Sequence, residues 1–391
     1  MPSTSCNDAA RRLLECCLRG ERRPAGLVRA LAEDCPDELF RVVVENLADR
    51  FEPALCDIYA EVMSEAVSGA VGGVDAVELV ERYRRVRRVR RAMAEPAVVY
   101  VLSRVTLGAD VAVTSVLLDA VKRRYPAAAI RLAGPAKNHE LFACDPRIGR
   151  EVVPYHRGTL LERLAPWSEL RRLAAREDAI VVDTDSRLTQ LGLLPVCPEE
   201  RYFFFESRAY GADGEEPLPA LARRWAEETF GIPDAAPYVA VPEPAERADI
   251  AVSLGVGENP AKRLPDPFEE KLLRLLAARG GTVWIDRGAG GEEAARVERA
   301  LAGCGVPRER FRTWEGSFAG FASLISRAGL YVGYDSAGQH VAAACGVPLV
   351  SIFAGFPAPR MFHRWRPGGT VIRADEPDPA AVLAEVERAL R

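Results

Sequence analysis

Lysine is the scarcest of the charged side chains. It occurs only at positions 122, 137, 262 and 271, whereas lysine and arginine together number 52 in 391 residues. Histidine is as rare, with 4 in the chain. The formal net charge of −4 leaves no global basic field to attract nucleic acid. Nine cysteines are scattered without a CxxC pair or a Cys/His pairing at metal-ligand spacing. That pattern excludes a zinc site and predicts free thiols in a reducing compartment rather than a disulfide framework. Asp8, Arg11, Arg12, Glu15 and Arg19 interrupt the first twenty residues, leaving no apolar core for a signal peptide. No apolar run approaches the roughly 18 residues a membrane-spanning helix needs. Peripheral membrane contact stays open, and a cytoplasmic protein is expected.

What is present is a globular composition, 48% hydrophobic and 28% charged, in a chain long enough for two or three domains. Residues 1–94 read as successive helices. Leu79, Tyr83, Val86, Val89 and Met93 recur at helical spacing, and arginines 82, 84, 85, 87, 88, 90 and 91 fill the remaining faces. Such a run is either a patch for an acidic partner, anionic lipid included, or a solvated face paired with acids elsewhere; the second reading is preferred. After Pro96 the pattern changes to short apolar strands alternating with amphipathic helices. Strands are expected at Val98–Leu102, Ala129–Ala133 and Ala179–Val182, with helices at Ser115–Tyr125 and around Leu160–Ala175. A Pro- and Ala-rich stretch near 235–248 reads as a linker, after which the rhythm restarts. Strands then follow at Ile250–Leu254, Thr282–Ile285, Leu330–Val332 and Leu349–Phe353, with a terminal helix at Pro379–Leu390. The alternation predicts an α/β fold with two parallel sheets: an N-terminal unit at 95–240 and a C-terminal unit at 241–391.

The chemistry concentrates in Tyr331-Val-Gly-Tyr-Asp-Ser-Ala-Gly-Gln-His-Val-Ala-Ala-Ala-Cys-Gly-Val-Pro-Leu-Val-Ser-Ile-Phe353. A strand, a polar turn and a small-residue helix follow one another, with Asp335 or Ser336 placed to cap the helix. The free N–H groups and positive dipole end of such a helix suit a phosphate, small Ala337 and Gly338 allow approach, and His340 lies on the first turn. An ordinary capped strand–turn–helix has the same pattern. Gly255-x-Gly257 lacks the third glycine of a dinucleotide fingerprint, which argues against NAD. His139, His156 and His363 have no partner motif.

The order Asp335, Ser336, Ala337, Gly338, His340, followed by an alanine-rich helix and Gly346-Val347-Pro348, resembles the donor motif of glycosyltransferase family 9, the ADP-heptose:lipopolysaccharide heptosyltransferases. Two further segments resemble that family in the right order. In Val101-Leu-Ser-Arg-Val-Thr-Leu-Gly-Ala-Asp-Val111, the loop acid that the family uses as catalytic base maps onto Asp110, with Ala109 as one extra residue after Gly108. In Ser253–Phe268, the family lysine maps onto Lys262, and Leu264 stands where the family has Trp. The resemblance covers roughly residues 97–375. It implies a GT-B fold, two Rossmann-like domains facing a cleft, here with an added N-terminal all-helical region. It implies an inverting, metal-independent glycosyl transfer from a nucleotide-sugar donor, ADP-heptose favoured, with no cofactor. Asp110 and Lys262 would be catalytic, and Asp335, Ser336, Ala337, Gly338 and His340 would hold the donor diphosphate. Glu292 or Glu293 would bind the nucleotide ribose, and Arg104 and Arg187 would lie on the acceptor side. The acceptor is left open among glycan, small molecule and protein. A GT-B sugar-nucleotide epimerase or hydrolase, and a non-catalytic nucleotide-sugar-binding scaffold, are the competing readings.

Overall fold

The computed structural model describes residues 5–391 except 94, 258, 289 and 377. Ala94, the expected end of the helical region, therefore lies outside the described residues. Two parallel sheets form the frame. The first contains β1 (Val98–Leu102), β2 (Ala129–Gly134), β3 (Ile148–Val152), β4 (Ala179–Asp183) and β5 (Tyr202–Phe204) in the order β3-β2-β1-β4-β5. The second contains β6 (Ile250–Ser253), β7 (Val283–Asp286), β8 (Phe311–Trp314), β9 (Leu330–Tyr334), β10 (Leu349–Ala354) and β11 (Thr370–Ala374) in the order β11-β10-β9-β6-β7-β8. Both orders reverse direction at the first strand, which opens a crevice at the carboxyl ends of β1 and β6.

Side-chain alternation assigns the faces. Along β1, Val99 and Val101 point into a core built on the helices Ser115–Arg124 and Leu218–Phe230. Val98, Tyr100 and Leu102 point the other way, into a core shared with Leu13, Phe40, Val43, Tyr59, Met63 and Tyr83. The N-terminal helices between Cys6 and Val86 thus supply the covering layer of one face of the first sheet. The other core continues through Ala251, Trp284, Tyr331 and Val341 of the second sheet, so one apolar interior joins the two halves. The outer face of the second sheet is closed by the helices Phe268–Ala278, Gly291–Gly303 and Pro379–Ala389.

Two expectations are corrected. The arginine-rich helix stops at Val86, so Leu79, Tyr83 and Val86 are buried while Met93 is 81% exposed. Beyond Val86 the chain turns at Arg87–Arg88 and continues to Met93 without regular structure, with the Ala92 N–H donating to Thr229 O at 2.9 Å and the Arg90 guanidinium donating to Tyr202 O at 2.6 Å. Its arginines are largely paired with acids, as expected: Arg84 with Asp57, Arg85 with Glu78 and Glu199, Arg87 with Asp57. Arg82 departs from that pattern, being buried and donating to Gly192 O and Leu193 O. The cysteines are not all free, because Cys6 and Cys35 are disulfide-bonded, joining the first helix to the chain just before Pro36. Sequence spacing of 29 gave no hint of this pair. No helix among the described residues is long and apolar enough to cross a membrane.

Because the N-terminal helices share with the helix Leu160–Leu173 the covering of Val98, Tyr100 and Leu102, and supply most of that core, removal of residues 1–92 is expected to abolish cooperative unfolding. Calorimetry of the truncated chain checks this; a cooperative transition near that of the full chain would contradict it.

Candidate active site

The loop leaving β1 is built around Asp110. Its carboxylate is fully buried and accepts from Ser103 Oγ (2.6 Å), Arg104 N (2.7 Å), Thr114 Oγ1 (2.6 Å) and Asn138 Nδ2 (2.5 Å). Ser103 Oγ in turn accepts from Val105 N at 2.9 Å. These bonds hold Val105 at φ +63°, a backbone conformation unfavourable for a β-branched residue. The extra residue Ala109 is followed by a π-helical turn over Asp110–Thr114, the form a helix takes when it absorbs one added residue. As a result Ala109 lines the central cavity and Asp110 lies beneath it. Four donors satisfy its oxygens and the residue has no exposed surface, so the carboxylate does not face the cavity in this structure. Burial pushes its pKa up, and the surrounding donors oppose that.

Between the sheets lies a cavity of about 990 Å³. Its C-terminal wall brings together Lys262, Asp335, Ser336, Ala337 and His340. Lys262 Nζ donates to Asp335 Oδ2 at 2.7 Å, and Gln339 Nε2 donates to Asp335 Oδ1 at 2.5 Å. Ser351 Oγ donates to Gln339 Oε1, anchoring the chain of bonds to β10. Asp335 is therefore a clamp on Lys262 and not a helix cap. Ser336 occupies the cap position of the helix Ala337–Ala344, but its side chain accepts nothing from that helix. Gly338 does not face the cavity; a Cβ there would lie 2.4 Å from the Tyr331 hydroxyl, so this glycine makes room for a buried tyrosine. The two halves meet at Gly108, where a Cβ would lie 3.1 Å from both Ala337 Cα and His340 Cδ2. His340 is buried, packs edge-on against Trp365, and has its pKa pushed down to about 4, chiefly by burial. Near neutral pH it is a neutral ring with one N–H to donate.

A smaller cavity of about 220 Å³ adjoins the first and is lined by Arg104, Arg157, Arg163, Arg187 and Arg208. Arg104 Nη1 donates to Thr184 O (2.5 Å) and Ser207 Oγ (2.9 Å). Asp183 accepts from Ser186 N, Thr189 Oγ1 and Tyr202 OH, and Asp185 from Ser207 Oγ and Arg208 Nε. Neither aspartate pairs with Arg187, which faces the cavity instead. Glu292 and Glu293 do not line either cavity. Glu292 is exposed, while Glu293 sits against Gly255 and Gly288 at the ends of β6 and β7, which makes it the better placed of the two for a ribose.

Sequence reasoning missed one wall altogether. Arg41, Glu45, Asn46 and Asp49, from the segment Leu39–Asp49 of the N-terminal region, line the main cavity. Their signal was a polar row at spacing four (41, 45, 49) within an otherwise apolar stretch. Met361 and Trp365, on the helix Pro359–Trp365, complete the rim.

Asp110→Ala strands several buried donors at once and is expected to cost about 3 kcal/mol or more of stability in urea unfolding; a loss below about 1 kcal/mol would contradict the anchoring role. His340 has a folded pKa of about 4 against an ordinary 6.5. Between those values the unfolded chain takes up a proton that the folded protein does not, so stability falls as pH drops through that window. His340→Gln is expected to lessen the loss between pH 7 and 4 by about 2–3 kcal/mol, measured by denaturant unfolding at both pH values; an unchanged pH dependence would contradict it.

The model of the family "Glycosyltransferase family 9 (heptosyltransferase)" matches residues 198–385. Lipopolysaccharide heptosyltransferase 3 of Escherichia coli is 35% identical over 96 residues, which are 25% of this chain. The match spans only 27% of that protein's own length. Among solved structures, E. coli heptosyltransferase WaaC with ADP aligns with a TM-score of 0.56 at 16% identity, over 75% of this chain and 99% of the other. E. coli ADP-heptose lps heptosyltransferase II aligns at 0.52 and 21% identity, over 75% and 98%. A family 9 glycosyl transferase from Veillonella parvula DSM 2008 aligns at 0.56 and 15%, over 76% and 91%. The fold is that of GT-B, and the resemblance to glycosyltransferase family 9 read from the donor motif holds, the family's model matching from just before β5 into the terminal helix.

Proposed function

We propose that this protein is an inverting glycosyltransferase that moves a sugar, heptose favoured, from a nucleotide diphosphate donor to an acceptor hydroxyl. The observation that carries the reading is the convergence of Lys262, His340 and the uncapped N-terminus of Ala337–Ala344 on one wall of the interdomain cavity. An arriving diphosphate replaces Asp335 as the partner of the Lys262 ammonium and takes the free helix N–H groups. As the anomeric C–O bond breaks, negative charge grows on the departing phosphate oxygen, and these same groups stabilise it. In this reading they supply the counter-charge without a metal. Glu293 is the candidate for the ribose. The donor's sugar then faces the loop Val105–Ala109 and the arginine-lined side, where Arg104, Arg187 and Arg157 suit an acceptor carrying negative groups.

ADP-heptose is the favoured donor because the structures of like fold include heptosyltransferases described with ADP and as ADP-heptose enzymes. The name of the E. coli relative makes a lipopolysaccharide-type glycan the first acceptor to try. This reading places the enzyme in the cytoplasm. The burial of Asp110 favours a second reading, a nucleotide-sugar-binding protein without turnover; it predicts binding with no ADP release.

The test is thermal-shift binding of ADP, UDP, GDP and dTDP. ADP is expected to raise the melting temperature of the wild type. Lys262→Ala is expected to weaken ADP affinity about 10- to 100-fold through loss of a charged hydrogen bond. ADP release from ADP-heptose is expected to persist in excess EDTA. No stabilisation by any nucleotide would defeat the reading, and abolition of release by EDTA would defeat its metal independence.

A further inference from the structure

The transfer proposed above needs a carboxylate that can take the acceptor's proton, and the loop after β1 does not present one: Ala109 lines the cavity and Asp110 is sealed beneath it. Resting on that glycosyltransferase reading, we propose that Asp49, supplied by the N-terminal helical region, is the general base of this enzyme.

Placement is the first argument. Among the described residues, the acids lining the two cavities are Glu45, Asp49 and Asp335 in the larger and Glu45, Asp49 and Asp185 in the smaller. Asp335 is held by Lys262 and Gln339, and Asp185 by Ser207 and Arg208. Glu45 and Asp49 alone among these border both the donor-side and the arginine-lined space, where an acceptor hydroxyl meets the anomeric carbon. Availability is the second. No described residue donates a hydrogen bond to the Asp49 carboxylate or closes an ion pair with it, and the residue is half-buried and lines both cavities. Surroundings are the third. Asp49 shares the larger cavity with Lys262, from the loop after β6, and the smaller one with Arg104 and Arg187, from the loops after β1 and β4. The residue thus stands where the two spaces join, and Glu45 lies one turn back on the same helix.

Burial holds the Asp49 carboxyl above the ordinary carboxylate range, with Glu45 adding to the rise and Arg187, Lys262 and Arg104 opposing it. Among the described residues, the remaining charged or titratable groups on the walls of the two cavities are Arg157 and His340, with Tyr155, Arg163 and Arg208 in the smaller one and Arg41 and Lys137 at the edge of the larger. A raised carboxyl is a better match to an alcohol proton than an ordinary one. In the step itself, the acceptor hydroxyl's proton passes to an Asp49 oxygen as its O–C bond to the anomeric carbon forms. The bond from that carbon to the diphosphate oxygen breaks, and its electron pair leaves with the nucleoside diphosphate beside Lys262. The proton then returns to water.

The experiment is release of ADP from ADP-heptose by the full chain, with water as acceptor, alongside ADP thermal shift. Asp49→Asn is expected to bind ADP but to release it at least about 100-fold more slowly. Wild-type kcat/KM is expected to fall as pH drops through the raised Asp49 pKa, and the residual rate of Asp49→Asn to lack that acid limb. Asp49→Glu, which keeps the charge, is expected to retain both the limb and about a tenth of the rate. Release by Asp49→Asn at the wild-type rate, or with an unchanged acid limb, overturns the assignment. So does a wild type that binds ADP and releases none, an outcome that leaves donor binding intact. Absence of nucleotide binding defeats the glycosyltransferase reading, and this assignment with it.

Discussion

The cleft depends on one buried carboxylate. Asp110 gathers a serine, a threonine, an asparagine and a backbone N–H from three elements, and through Ser103 it pins Val105 in a left-handed conformation. An ionisable group enclosed this way is tolerable only because its oxygens are satisfied. The strained loop it maintains carries Thr106, Leu107 and Gly108 to the edge of the second domain, where the bare glycine packs closely on Ala337 and His340. The width of the cavity is thus set by a polar knot in the first domain and by a missing side chain at the contact.

The N-terminal helices serve two physical ends with one placement. With the helix Leu160–Leu173 they cover one face of the first sheet, so that Tyr100 and Leu102 share a core with Tyr59 and Tyr83. The same packing carries Glu45 and Asp49 to the rim of the cleft. A helical segment needed for the core has thereby become a wall of the site, and a polar row on one helix can change the chemistry without any change in the sheet.

The alternation of strands and helices was legible because β1, β4, β6, β9 and β10 are buried on both faces and read as short apolar runs. Strands β3, β8 and β11 escaped notice because they are edge or near-edge strands with charged residues, such as Arg150 and Glu151, and little apolar signal. In the site, the turn Asp335–His340 was legible through its resemblance to the family's donor motif, since an ordinary capped strand–turn–helix has the same run of small residues. The orientation of Asp110 was not. A π-helical turn follows Ala109 and the Asp110 side chain is buried, and spacing alone carries no record of that. Nor was the approach of Asp49, since it depends on how a helical layer more than forty residues upstream of β1 docks on the sheet.

The central claim is that the interdomain cavity is a nucleoside diphosphate sugar site whose anion end is Lys262 and the helix beginning at Ala337. A crystal structure of the protein with ADP tests it most directly. The account predicts the diphosphate on the N–H groups of Ala337–His340, with the Lys262 ammonium turned from Asp335 to a phosphate oxygen. ADP bound elsewhere, or bound there with the Lys262–Asp335 pair intact and the helix N-terminus unoccupied, would contradict it.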